Sequence, residues 1–361
     1  MDRRFCLEFR DRRPMTLSSP YVTPRGLLSG ASARSAVGKA RACPLGGDLA
    51  FTAIEMTNPA RPLGSADLLL SSDCPDPSKA WLEAYAAAPA AFAGLSLSGP
   101  VLMGVVNVTP DSFSDGGQFA SHAAAVAHAL ALAQAGAEII DVGGESTRPG
   151  AAPVDTSEEI ARVVPVVRTL AESGLCVSID TRHAPVMEAA IAVGAMIVND
   201  VTALKEPGAL EVVARAKVSV ILMHMQGEPR TMQENPAYVW APGDVFDFLA
   251  NRIAVCAAAG IPRERVALDP GIGFGKTDLH NAQILDHVAM YRALGCPVVL
   301  GVSRKSFIGR MSRGEPASDR LPGSIAAAVH GVRNGVQIVR VHDVAETKQA
   351  LAVATRINQG E

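Results

Sequence analysis

From Val101 onward the chain alternates between two hydrophobic patterns. Short, almost unbroken apolar runs are separated by longer Ala-rich stretches whose apolar positions recur at helical spacing. The runs are VLMGVVNV from 101, AEIIDVGG from 137, LCVSIDT from 175, MIVNDV from 196, SVILMH from 219, RVALDPG from 265, PVVLGVS from 297 and VQIVRVHDV from 336. Each reads as a strand. Helices are expected between them, as at 121–136, 157–173, 184–193 and 321–334. Strands that are apolar on both faces belong in a parallel sheet covered on both sides. Eight strand–helix units in about 260 residues suit a (β/α)8 TIM barrel better than a doubly wound sheet. No glycine fingerprint opens the first unit, which also disfavours the doubly wound alternative.

Residues 1–97 do not follow this alternation. They contain turn-rich pieces such as YVTPRGLLSG and CPDPSKAW and one strand-like run, LAFTAIEM. The Ala-rich stretch WLEAYAAAPAAFA reads as a short helix ending near Gly94. The expectation is a small, partly irregular N-terminal extension of unassigned role with little core of its own, followed by a catalytic barrel over 98–361. Met15 is an alternative start, because the residues before it are polar and patternless.

Composition narrows the function classes. Apolar residues make up 48% of the 361, enough for a sizeable core. A net charge of −3 without a long basic run argues against nucleic-acid and anionic-membrane partners. The six cysteines form no C-x-x-C pair, which argues against a disulfide scaffold or structural zinc. The N-terminus lacks an apolar signal region, and no run reaches the ~18 residues of a membrane helix. A soluble cytoplasmic protein is expected.

The strand runs end repeatedly in functional groups. In order these are Asn107, Asp141 with Glu145, Asp180, Asn199, His224, Asp269, Ser303 with Lys305, and Arg340 with His342. In a barrel all strand ends meet at one face, where barrel active sites are built. Any one such residue could be a helix cap; eight in register point to a shared pocket. Arg340 and His342 are two apart, so they share a face, and strand eight closes against strand one beside Asn107. A cation, a histidine and an amide suit an anion with several oxygens. Asp180, Asn199 and Asp269, with Lys305, suit a planar heterocycle with an N–H and amino edge. Two long polar loops, NVTPDSFSDGGQF at 107–119 and GGESTRPGA at 143–151, are candidate lids carrying Asp111, Phe113, Asp115 and Arg148. GFGKT at 273–277 mimics the end of a phosphate-binding loop, but that motif's first glycine is replaced by Pro270.

Taken together, NVTPDSFSDGG, DVGGESTRPGA, SIDT, IVND, MHMQGEPRTMQ, DPGIGFGKT, GVSRKSFIG and RVHDV, in this order, resemble the dihydropteroate synthase family over about residues 98–358. The resemblance implies a (β/α)8 barrel, usually dimeric. It implies an enzyme of folate synthesis that joins a dihydropterin methyl diphosphate to 4-aminobenzoate and releases diphosphate. It further implies that Asp180, Asn199, Asp269 and Lys305 bind the pterin. Asn107 would ligate Mg2+ held with the diphosphate, and Arg148, Arg340 and His342 would contact that group. Phe113, Thr147, Pro149 and Ser306 would shape the 4-aminobenzoate pocket, and Asp115 would order the loop and metal. Asp180, Lys305, Asp115 and Arg148 would then carry the catalysis. The family points to a dissociative route, in which diphosphate leaves before the weakly nucleophilic arylamine attacks.

Three alternatives fit parts of the pattern. A corrinoid-linked methyltetrahydrofolate methyltransferase would share the pterin set but has no need of a diphosphate site. A Schiff-base aldolase would use Lys305, yet SRKS puts that lysine past the strand end, as a less confined amine. A non-catalytic pterin-binding protein should have lost loop or leaving-group residues, and here they are all intact.

Overall fold

The structure is a computed structural model and describes residues 20–59, 66–87, 91–108, 117–145, 154–228 and 231–359. Its N-terminal part holds β1 (Tyr21–Ser29), α1 (Gly30–Gly38), β2 (Cys43–Gly46), β3 (Leu49–Thr57), β4 (Asp67–Leu70), α2 (Lys79–Ala86) and a short hairpin, β5 (Ala91–Phe92) with β6 (Leu95–Ser96). Eight strand–helix units follow. The strands are β7 (Val101–Asn107), β8 (Ile139–Gly143), β9 (Cys176–Asp180), β10 (Ile197–Asp200), β11 (Ser219–Met223), β12 (Val266–Asp269), β13 (Val299–Gly301) and β14 (Ile338–Val341). The helices are α3 (Gly117–Ala135), α4 (Thr156–Glu172), α5 (Ala184–Ala192), α6 (Ala209–Ala216), α7 (Ala241–Ala258), α8 (Asp278–Asp286), α9 (Ser306–Met311), α10 (Leu321–Arg333) and α11 (Val344–Gln359).

The eight parallel strands run in the order β12-β11-β10-β9-β8-β7-β14-β13. A parallel bridge between Leu268 and Val298 joins the two ends of that order, with Leu268 N–H donating to Pro297 O at 2.8 Å. The expected (β/α)8 barrel is therefore present, and all eight apolar runs became its strands. The helices show why the alternation was readable. In α4, Asp155 caps the first turn by accepting the Ser157 N–H at 2.9 Å, and Glu158 and Glu159 lie in the positive first turn. Val163, Val166, Val167 and Leu170 then form one buried stripe against the sheet.

Side chains alternate across the barrel wall. Val101, Met103, Ile139, Ile197, Ile221, Ala267, Val299 and Ile338 form an apolar layer at the N-terminal end of the strands. Phe92, on the β5–β6 hairpin, packs into this layer and is 1% exposed. The interior is thus filled below, and the polar residues sit above it.

The extension is more regular than its sequence suggested. β1, β3 and β2 form an antiparallel sheet in that order, with β4 pairing β3, and LAFTAIEM lies within β3. β4 is a mostly exposed edge, and Ala33, Ala42 and Ala50 form a small cluster inside the extension. Helix α2 stops at Ala86 instead of near Gly94, short of Pro89, and 91–96 form a hairpin. Trp81 stacks on Phe246 of α7 with ring centroids 4.9 Å apart, and Tyr21 packs on Trp240 at 5.3 Å. Tyr21 Oη donates to Asp247 at 2.7 Å, and Arg25 pairs with both Glu55 and Asp286. The extension's apolar residues, Phe51, Trp81 and Tyr85 among them, join the barrel's outer core. Among the described residues no helix is long and apolar enough to cross a membrane.

Candidate active site

The C-terminal ends of the barrel strands gather the polar groups. Asp180 closes β9 between Gly143 of β8 and Asn199 of β10, its two register partners. Gly143 packs beside it: a Cβ there would lie 3.5 Å from Asp180 Cβ, an ordinary van der Waals contact. Arg340, in β14, points to the same interior. Its Nε donates to Asp141 Oδ2 at 2.6 Å and its Nη2 to Asp180 Oδ2 at 2.7 Å. Asn199 Nδ2 donates to the same Asp141 oxygen at 3.1 Å, while Asp141 Oδ1 is buried without a partner. Burial raises the Asp180 carboxyl well above its ordinary value, although Arg340 opposes this. The Arg340 guanidinium is held more firmly charged than usual, since Asp141 and Asp180 outweigh its burial.

A second group faces the first across the mouth. Asp269 ends β12 and accepts the Gly271 N–H at 2.6 Å. That turn needs glycine: Gly271 has φ +68°, and a Cβ would lie 1.9 Å from the His224 carbonyl oxygen. Burial raises the Asp269 carboxyl, with Lys305 as the main opposing charge. Lys305 caps α9, and its Nζ donates to Ile272 O and lies 4.6 Å from the centre of the Phe274 ring. Burial pushes this amine down to about 8, with Asp269 opposing. The loosely held amine expected past the strand end is thus corrected: the carbonyl and ring above it confine it. Gly301 lies between the two groups; a Cβ there would be 3.7 Å from both Asp269 Oδ2 and Lys305 Nζ.

Asn107 ends β7, half-buried, opposite Gly143. Arg340 was expected beside it. Register instead places Arg340 opposite Met103, lower in the strand, with its head on the two carboxylates. His342 follows β14; its N–H donates to Ser303 Oγ at 3.2 Å and its Nδ1 lies 3.0 Å from the same oxygen. Ser306 is exposed at the start of α9. Asp111, Phe113, Asp115, Thr147, Arg148 and Pro149 lie outside the described residues.

Three features escaped sequence reasoning. Asp141 was noted as a strand end, yet it sits mid-strand, fully buried, as the acceptor shared by Arg340 and Asn199. An aspartate inside an otherwise apolar strand was the available signal. Lys276, set aside with the false phosphate loop, is fully buried and donates to His224 Nδ1 at 2.9 Å, Phe274 O at 3.0 Å and His224 O at 3.3 Å. Burial, with Lys276 and Lys205 adding to it, pushes the His224 imidazole down to about 2, so it is a neutral acceptor, and burial also moves the Lys276 amine well below the ordinary lysine value. Finally, Glu159 is fully buried and contacts His183 Nδ1 at 2.8 Å, while Arg182 approaches Glu145 at 3.4 Å.

Cation-binding capacity can be read from the donor sets. Glu145, Glu159 and His183 bring ligand atoms within 4.8 Å of one another, but Arg182 and His183 already face those carboxylates. Asn107 offers a single amide oxygen at the barrel rim. A hard divalent ion such as Mg2+ takes oxygen ligands and usually keeps phosphate oxygens and water as the rest. One neutral oxygen beside an anionic substrate fits that habit.

The comparisons with known proteins bear on this geometry. The family described as pterin binding enzyme matches residues 103–342. The chain is 49% identical over 260 residues to the dihydropteroate synthase of Escherichia coli K12, covering 72% of this chain and 92% of that protein. Identity to the dihydropteroate synthase of Neisseria meningitidis serogroup B is 49% over 265 residues, with 72% and 93% covered. A solved Yersinia pestis dihydropteroate synthase with a sulfonamide drug complex superposes with TM-score 0.70 at 46% identity, covering 73% of this chain and 97% of that one. The Xanthomonas albilineans dihydropteroate synthase in complex with 7,8-dihydropteroate gives TM-score 0.67 at 44% identity, with 73% and 95% covered.

Proposed function

Because the chain belongs to the dihydropteroate synthase family of pterin binding enzymes, we propose that its barrel mouth is the place where dihydropteroate is made. The enzyme is a transferase. Its substrates are (7,8-dihydropterin-6-yl)methyl diphosphate and 4-aminobenzoate. The C–O bond to diphosphate breaks, a C–N bond to the arylamine forms, and the amine loses a proton. What supports this placement is that Asp180, Asn199, Asp269 and Lys305 come from four different strands or their following loops and converge on one opening.

The residues divide the work by charge. Asp269 and Asn199 offer an acceptor and an amide to the N–H and amino edge of the pterin. A buried carboxylate left unpaired is costly, so analogues lacking those donors are rejected. Lys305 adds a confined donor above the same plane. Asp180, close to the reacting methylene in this arrangement, stabilises positive charge developing on the pterin as diphosphate departs. Arg340 holds Asp141 and Asp180 in place, and His342 and Arg148 are the further candidates for the diphosphate. Phe113, Thr147, Pro149 and Ser306 are the candidates for the 4-aminobenzoate pocket, with Asp115 ordering the loop. Asn107 would hold Mg2+ together with the diphosphate, and the ion would supply charge neutralisation for that leaving group. A homodimer in the cytoplasm is the form we assign on the family's pattern.

The test is direct. Purified protein with both substrates and Mg2+ forms dihydropteroate, and chelation of the metal abolishes formation. No product at saturating substrates and metal would refute the assignment.

A further inference from the structure

At the other end of the barrel, the N-terminal sheet and the barrel floor form between them a half-open cavity of about 200 Å3. Leu97–Pro100, just before β7, and Gln337, just before β14, form its barrel side, so it lies at the strand N-termini and away from the mouth. Leu45, Leu49, Leu97 and Val336 give it apolar walls. Arg292 and Gln337 also line it, and they are 5% and 8% exposed.

Arg292 and Gln337, the two buried polar side chains of this lining, hold unused donors, and the exposed Arg333 of α10 lines the cavity as well. Arg292 donates from Nη2 to Leu45 O at 3.0 Å, and its buried Nε meets no acceptor. A guanidinium has five N–H donors, so most of this one is uncommitted to described protein groups. Gln337 Oε1 accepts the Val298 N–H at 2.9 Å, while Nε2 is buried without a partner. Among the described residues no carboxylate pairs with Arg292. Asp48 also lines the cavity, but Arg34 lies 3.0 Å from it. Burial, with no opposing anion, pushes the Arg292 guanidinium down to about 10. A buried cation without a counter-ion is costly, and a planar guanidinium is best satisfied by a carboxylate.

We propose that this cavity is a second binding site, for a small monocarboxylate with an apolar body, whose carboxylate pairs with Arg292. The apolar walls take the body. The volume lies below the ~300 Å3 lower range of drug-sized pockets, which restricts the ligand to about one ring or a short chain. No residue of the mouth contributes, so the site stands whether or not the catalytic assignment does.

Benzoate is a suitable probe, with benzamide as its neutral counterpart, titrated calorimetrically into the full chain. Any binding at the mouth is common to wild type and floor variants, so the floor site is the difference between them. Wild type shows a benzoate site that weakens at least tenfold in Arg292→Met and is absent for benzamide. Leu97→Trp, which fills the cavity while keeping the guanidinium, also removes it and serves as the deciding variant if Arg292→Met fails to fold. Equal benzoate binding in wild type and the folded variants overturns the proposal, as does equal binding of benzamide and benzoate at the floor site.

Discussion

Arg340 Nη2 lies 2.7 Å from Asp180 Oδ2, and this contact joins the last barrel strand to the third across the interior. The same guanidinium holds the fully buried Asp141 at 2.6 Å. Removing the cation would leave two carboxylates uncompensated in a poorly solvated interior. Arg340→Met is therefore expected to cost about 3–5 kcal/mol of stability, read from the denaturant midpoint. Adding Asp141→Asn should recover part of that loss. Since Arg340 also orders Asp180, the variant should weaken the free pterin alcohol as well as its diphosphate ester. A loss confined to the ester would place Arg340 on the leaving group alone.

Asp269 provides a sharper test of pterin recognition. Asp269→Asn keeps the shape but replaces one acceptor oxygen by a donor, facing the pterin's own donors. Losing a charge-assisted hydrogen bond of about 1.5–3 kcal/mol lowers pterin affinity at least tenfold by calorimetry. Unchanged affinity would remove Asp269 from the pterin edge.

The Lys305 amine sits well below its ordinary value because it is buried, with Asp269 as the largest opposing influence. Acetylation followed by mass spectrometry should therefore show Lys305 reacting with a midpoint near 8, against 10.5 for an unperturbed lysine. Asp269→Asn should move the midpoint lower still, because it removes the charge that favours the ammonium. The linkage runs with the depressed folded-state value. The unfolded chain binds the extra proton between about 8 and 10.5, so this group makes the fold more stable as pH rises through that window.

The extension should behave as part of the barrel's core rather than as a tail. Trp81 is 2% exposed against Phe246, and Trp81→Ala should cost about 3–5 kcal/mol in global unfolding. Deleting the chain up to residue 95 would uncover Phe246 and Tyr291 and lower solubility. A truncated protein as soluble and stable as the parent would show that the aromatic contact carries little.

The barrel was legible because burial on both sheet faces leaves unbroken apolar runs, and because strand ends such as Asp180 and Asp269 interrupt them at the same relative place. The pairing of these groups was not. Asp141 and Arg340 are 199 positions apart, and nothing local marks one as the other's partner. The place expected of Arg340 beside Asn107 came from its shared face with His342; register put it lower, among carboxylates. Lys276 was dismissed for lacking a phosphate-loop glycine, and its actual partner, His224, lies on a different strand end. The extension's sheet was hard to read because its apolar residues complete the barrel's core instead of forming their own periodic face.

Among the described residues, the apolar layer at the strand N-termini, sealed by Phe92, leaves the barrel no back door. Both reactants must enter, and diphosphate and product must leave, through one opening. Traffic through the mouth is then sequential: whichever ligand lies deepest has to arrive first and depart last. Under the pterin placement above, that deepest ligand is the pterin, so 4-aminobenzoate reaches its place only over a pterin already seated.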